Sequence, residues 1–245
     1  MKRDDALTVW KMIYLARRNP ALAAEDFPQV WREHSALGRQ CKNVGQRVKA
    51  VAQCSRMLNV QGLDGSAALS QDYDGVNLMV LADREAGSVI WSDPETLAVM
   101  RPDEPRVFAD YVRNFSLLVR QQLLFSRLPQ QDFSQQVLPQ KEQVMLIGFL
   151  QRSEEWQGAA AELSACPSQW QAGGLGQACR IVCNLLDEEA RAGYGFRYVV
   201  EWWFDTPQQA IAAAQGLHTD AVVCAGEWGW GEHVFMLTEV THARP

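Results

Sequence analysis

One strand–helix plan occurs twice in this chain, and that repetition limits its fold more than any other feature. WKMIYLARRN (10–19) is an apolar run that ends in basic residues and leads into a Glu-containing helical segment. VMLIGFLQRSEEW (144–156) has the same shape: apolar run, basic residue, small polar cap, acidic helix start. A second landmark also recurs. YDGVNLMVLADREAG (73–87) and YGFRYVVEWWFDTPQQA (194–210) each carry a strand into a polar helix start. Each half therefore holds one α+β unit, and the length of 245 residues suits two units of roughly 100–120 residues.

The first unit reads residue by residue. Residues 7–17 are dense in β-branched and aromatic side chains, and Asn19-Pro20 ends the strand. In AAEDFPQVWREHSALGRQC, Phe27, Val30, Trp31, His34 and Leu37 recur at helical spacing on one face, with Pro28 in the first turn. VKAVAQCSRML (48–58) and GVNLMVLAD (75–83) are the next strands. Asp93-Pro94 starts the second piece of a weaker helix, and 112–125 is taken as the fourth strand by analogy with the second half. Residues 126–142, rich in Gln and Pro, form the linker.

The second unit runs strand (143–151), helix (153–164), Gly-rich loop, strands (178–186 and 196–204), a helix opened by Asp205-Thr206-Pro207, and a last strand (233–240). The order β-α-β-β-α-β is ferredoxin-like: an antiparallel sheet with two helices on one face. Its other face needs a cover, so two such sheets pack together into a barrel-like body. The domains expected are 7–125 and 143–242.

Composition closes off several classes. A net charge of −6 and a pI near 5.3 leave no basic field for phosphate backbones, so no nucleic-acid partner is expected. No apolar run reaches the roughly 18 residues of a membrane span. MKRDDALTVW has no apolar leader core, so a cytoplasmic protein is expected. Six cysteines scattered through a core-rich chain read as reduced thiols. Cys179 and Cys183 lie on a strand reading at roughly 13 Å, too far apart to share a metal. No metal site and no cofactor are called for. Gly173-Gly174-Leu175-Gly176 precedes a strand, so it is no phosphate loop, and neither His-Glu-x-x-His nor a nucleophile elbow occurs.

Three stretches resemble EthD-like proteins of the dimeric α+β barrel superfamily. YLARRNPALAAEDFPQVWREHSALG carries a basic residue at the strand end (Arg17 or Arg18), then Phe27, Trp31 and His34. YDGVNLMVLAD enters its strand through Tyr73-Asp74-Gly75-Val76, and PRVFADYVRNFSLLVRQQ places Phe108 and Asp110 before the closing strand. The resemblance covers most of 9–125. The second half keeps the layout without the residues: Ala160 and Leu163 stand where the first half has Trp31 and His34. It implies an α+β fold of two fused ferredoxin-like (β-α-β-β-α-β) units packed sheet to sheet as a dimeric α+β barrel, with one site rather than two. EthD-like proteins accompany the degradation of ethers, aromatics and steroids. Relatives of this fold include cyclases, lyases, isomerases, cofactor-free monooxygenases and haem enzymes, and fold alone does not choose among them.

The candidate chemistry centres on His34, whose ordinary pKa of about 6.5 lets an imidazole act as acid or base near neutrality. The plain alternative is a core histidine that bonds a backbone carbonyl. Asp74 can orient His34 or merely cap a turn. Tyr14 and Tyr73 can donate to a substrate carbonyl or simply pack. Trp228 and Trp230, with nearby Trp202 and Trp203, can line a pocket for a flat apolar ligand or fill the space between sheets; Trp31 is a further substrate-binding candidate, and His233 adds an acid–base group. His233 is also the one position where a haem ligand comes to mind, though no neighbouring motif supports it. The function expected is a cofactor-independent enzyme or accessory protein acting on an aromatic, polyketide-like or steroid-like molecule. The alternatives are a non-catalytic carrier and a haem-binding barrel, with a homodimer in any of these cases.

Overall fold

The computed structural model describes residues 8–63, 69–127, 137–152, 171, 173–187, 195–228 and 230–244, the side chains of 218–232 excepted. The first half contains β1 (Trp10–Ala16), α1 (Phe27–Leu37), α2 (Lys42–Arg47), β2 (Val48–Arg56), β3 (Gly75–Leu81), α3 (Arg84–Val89), α4 (Pro94–Val99), α5 (Glu104–Val107) and β4 (Ser116–Ser126). The second contains β5 (Val144–Arg152), β6 (Arg180–Leu186), β7 (Phe196–Phe204), α6 (Pro207–Trp228) and β8 (Trp230–Arg244). The helix expected at 153–164 lies outside the described residues.

All strand pairs are antiparallel, and the eight strands close into one barrel in the order β1-β3-β2-β8-β5-β7-β6-β4. Around the ring, β4-β1-β3-β2 is followed by β8-β5-β7-β6, the same order in corresponding strands. The two runs meet at two seams, β2 with β8 and β4 with β6. The last strand outgrows its expected span of 233–240 because it serves both neighbours: Trp230 to Glu239 pair with β5, and Thr238 to Arg244 pair with β2.

Alternation along each strand sorts side chains between two faces. Ile13, Cys54, Leu78, Leu117, Phe149, Val182, Trp203 and Met236, one from each strand, belong to a single buried cluster. In a closed barrel only the interior can collect side chains from every strand. Within it Lys11 Nζ donates to Glu201 Oε1 at 2.8 Å, both side chains fully buried. Glu201 also accepts from Asn184 Nδ2 at 2.7 Å and from the Trp203 indole at 2.9 Å. Burial drives the Lys11 pKa down, and the Glu201 carboxylate opposes that shift.

The outer faces carry the helices. Tyr14, Ala16, Phe27, Trp31, Val107, Phe108 and Val112 form one cluster under α1, and Leu146, Trp202, Phe235, Ala210, Ala213, Ala214 and Leu217 form another under α6. Asp83 and Asp93 cap α3 and α4 by accepting from Ala86 N (2.8 Å) and Thr96 N (2.9 Å). Pro94 follows the second cap, as the Asp93-Pro94 pair implies. Among the described residues Cys41, Cys54, Cys179 and Cys183 are free and buried. No described helix is long and apolar enough to cross a membrane.

Candidate active site

The helix-covered face of the first sheet is not filled completely. Tyr14, Val51, Gln53, Asn77 and Met79 project from β1, β2 and β3 toward His34, Gly38, Val44, Ile90, Trp91, Thr96, Met100 and Glu104. Between them lies a pocket enclosing about 540 Å³ of empty space, part of it continuous with solvent.

Helix α1 forms one wall because Phe27, Trp31 and His34 share its buried stripe. Phe27 stacks on Trp31 with ring centroids 5.0 Å apart. The Trp31 ring then presses on Gly75, where an added Cβ would stand 2.7 Å from the indole and 2.9 Å from the Cys54 carbonyl. The glycine of the Tyr73-Asp74-Gly75-Val76 stretch is thus a close-approach residue.

His34, 4% exposed, has Nδ1 at 2.9 Å from Asp103 Oδ2. Asp103 accepts from Arg106 Nε at 2.6 Å and from Nη2 at 3.1 Å. Burial lowers the His34 pKa below the ordinary 6.5, partly offset by Asp103. The hydrogen bond from Arg106 holds the Asp103 carboxyl below its usual range. At neutral pH this favours a neutral imidazole that donates from Nδ1 to an ionised carboxylate, leaving Nε2 as the basic atom. No hydrogen bond to Nε2 occurs among the described residues, and the ring meets Phe108 edge-on at 5.4 Å.

The segment carrying Asp103 and Arg106 is fastened to the end of β1. Asn19 N donates to Val107 O (2.8 Å), Ala109 N to Arg17 O (2.9 Å), and Arg18 bridges to Phe108.

Tyr14 is 5% exposed and accepts from the Trp31 indole N–H at 3.4 Å. Burial pushes its phenol well above the usual pKa, so its own proton stays on and remains available to an acceptor in the pocket. Glu104 is buried too, with its carboxyl raised by burial, and accepts from Val112 N at 3.0 Å. Four further lining atoms are buried with no hydrogen-bond partner among the described residues: Gln53 Oε1, Asn77 Nδ2, Trp91 Nε1 and Arg244 Nε. Buried polar atoms normally find partners, so their concentration around one empty space marks a place for a ligand with polar groups.

Of the residues expected to make a site, Tyr14 and His34 line this pocket, and Trp31 stands behind Tyr14. The expected Asp74–His34 pairing is corrected. Asp74 accepts instead from the Arg18 guanidinium, from Arg18 N at 2.9 Å and from Arg56 at 3.5 Å, tying strand ends together, while Asp103 takes the place beside His34. Tyr73 lies under the Arg17 guanidinium, 4.9 Å from its ring centroid, and is not among the pocket's lining residues. Trp202 sits beneath α6 while Trp203 points into the barrel, because adjacent strand residues face opposite ways. They therefore cannot share one aromatic lining. His233 is exposed on β8 beside Phe235. The side chains of Trp228 and Trp230 lie outside the described residues. Among the described residues no group of three His, Cys, Asp or Glu is placed to hold a metal.

Sequence reasoning missed Asp103, Arg106, Glu104, Gln53, Asn77 and Arg244. The charged run RPDEPR (101–106) was the available signal, but nothing local ties it to His34.

No family profile matches the chain, and no curated protein matches its sequence. The fold, however, is shared. An anthrone oxidase-like protein superposes with a TM-score of 0.63 at 12% identity, over 97% of this chain and 92% of that one. A candidate chlorite dismutase gives 0.53 at 10% identity, over 95% and 94%. A candidate monooxygenase of Fusobacterium nucleatum gives 0.52 at 7% identity, over 97% and 93%. The chain thus has the dimeric α+β barrel fold within a single polypeptide.

Proposed function

We propose that the chain is a cofactor-independent enzyme that moves a proton on a small, largely apolar molecule held in the pocket beneath α1. One observation carries this reading: His34 lines the pocket with Nδ1 fixed by an Asp103 carboxylate that Arg106 keeps ionised. In that arrangement Nε2 takes a proton from an activated C–H, and the imidazolium formed is stabilised by Asp103. The electron pair passes to the substrate's carbonyl oxygen, toward which Tyr14 donates its phenol proton. The resulting enolate can be reprotonated elsewhere, can expel a β-leaving group, or can react with dioxygen, the steps of an isomerase, a lyase or a cofactor-free oxygenase.

The residues that resemble EthD-like proteins support the same place. His34 lines the pocket, Trp31 backs Tyr14 from the same helix stripe, and Gly75 admits the indole. The repeated strand order supports reading 7–125 and 143–242 as two fused ferredoxin-like units joined by 126–142, with chemistry in the first. A haem reading rested on His233, which is exposed and outside the pocket's lining, so no step is routed through such a group.

The fold shared with an anthrone oxidase-like protein makes anthrone a fitting first carbon acid. Exchange of its methylene protons in D2O, followed by NMR, tests the proposal. The wild-type chain should accelerate exchange and His34→Gln should lose about 10²–10⁴-fold of that rate. Equal rates for the two proteins, across anthrone and a panel of cyclic 1,3-diketones, would sink the catalytic role and leave a carrier.

A further inference from the structure

We infer that the molecule this pocket takes is an acid, with its carboxylate held by Arg244 at one end and its apolar body extending toward His34; the inference rests on the pocket being the ligand site. Arg244, near the end of β8, lines the pocket from the seam where β8 pairs with β2. Its Nε is buried and has no hydrogen-bond partner among the described residues. The side chains around it are of the same sign: Arg39 acts on Arg244, and Arg39, Arg32 and Arg244 act on His242, each repulsive to added positive charge. None of Arg32, Arg39, His242 and Arg244 forms an ion pair among the described residues.

That is an unusual place to gather cations in a chain of net charge −6. Four other arginines do find carboxylates: Arg18 and Arg56 on Asp74, Arg84 on Asp187, Arg106 on Asp103. The pocket's own carboxylate, Glu104, feels Arg101 and Arg113 rather than Arg244, so it does not neutralise this end.

The neighbouring polar atoms fit the same ligand. Gln53 is 2% exposed and Asn77 1%, and Gln53 Oε1 and Asn77 Nδ2 have no partner among the described residues. Gln53 pairs in register with His242, which puts it beside the cationic end. Asn77 pairs in register with Tyr14. A carboxylate matches a planar guanidinium fork, and a carbonyl or hydroxyl further along the molecule would meet Asn77 and Gln53.

The experiment compares two probes of one shape, 2-naphthoate and 2-naphthalenemethanol, titrated calorimetrically into the full chain. The acid is expected to bind about tenfold or more tightly than the alcohol, the scale of one charge-assisted contact. Arg244→Met should remove that preference by weakening the acid alone, and Arg244→Lys should retain part of it. Arg39→Gln, at an exposed position, should reduce the preference by about threefold and keeps the test open if Arg244→Met does not fold. Equal binding of the two probes, or a preference that survives both Arg244→Met and Arg39→Gln, overturns the acid-binding inference and leaves the proton-transfer site standing. Binding of neither probe overturns both readings.

Discussion

Asp103 reaches His34 across 69 residues of sequence, with Oδ2 lying 2.9 Å from Nδ1. The contact exists because backbone bonds from Asn19 and Ala109 fasten the 101–109 segment to the end of β1, just where α1 begins its approach to the sheet. It gives the imidazole a fixed tautomer and a compensated charge, the two properties a general base needs.

The pH dependence follows from burial. The folded-state pKa of His34 lies below the ordinary 6.5, so between those values the unfolded chain binds more protons than the folded one. Stability contributed by His34 is therefore complete above about pH 6.5 and is lost as pH falls through the folded pKa. Histidine-resolved NMR titration should place the His34 midpoint below 6.5. Asp103→Asn should lower it further, because Asp103 raises it. A midpoint at or above 6.5 in the wild-type protein would contradict the burial argument.

The barrel's inner ion pair allows a second prediction. Fully buried Glu201 faces two buried cations, Lys11 at 2.8 Å and Arg180, so removing the carboxylate leaves both without their counter-charge. Glu201→Leu alone should cost about 3–5 kcal/mol of unfolding free energy and Lys11→Met less, since Arg180 still faces the carboxylate; the double variant should recover part of the Glu201→Leu loss. Urea unfolding of the three variants completes the cycle, and simple additivity would show that the two charges are not coupled.

Gly75 is sterically committed. Gly75→Ala sets a methyl against the Trp31 ring and the Cys54 carbonyl, and one of those is backbone that cannot swing away. A loss of about 1–3 kcal/mol is expected, with a shift in tryptophan emission as Trp31 is displaced. An unchanged melting temperature would mean that the contact is looser than it stands here.

Trp31 and Tyr14 should separate stability from chemistry. Trp31→Ala opens the cluster of Phe27, Tyr14 and Phe108 and should cost about 3–5 kcal/mol. Tyr14→Phe keeps the packing and deletes only the phenol proton. It should unfold close to wild type yet slow enolate formation on a carbon acid, and an undiminished rate would remove Tyr14 from the mechanism.

Strands were legible because alternation and length constrain them strongly; β7 was read over 196–204 and spans Phe196–Phe204. The α1 stripe was legible for the same reason, since Phe27, Trp31 and His34 advertise a helical period. The site was half legible. His34 and Tyr14 could be suspected from type and spacing. Asp103, Gln53, Asn77 and Arg244 could not, because each enters through tertiary placement: a stapled turn, two sheet positions and the far end of the chain. The tryptophans misled for a local reason. Trp202 and Trp203 are adjacent in sequence, and adjacency on a strand is separation in space.

The two seams carry a last consequence. β2 and β4 of the first half each bond to a strand of the second, so neither run of four strands has a finished edge by itself. A half cut free would present two open edges and an apolar inner face, and would need another copy to close, at a rate and yield set by concentration. Covalent connection replaces that encounter with a local one. The ring forms as readily in dilute as in concentrated solution, and the pocket beneath α1 can then be shaped by one half independently of the other.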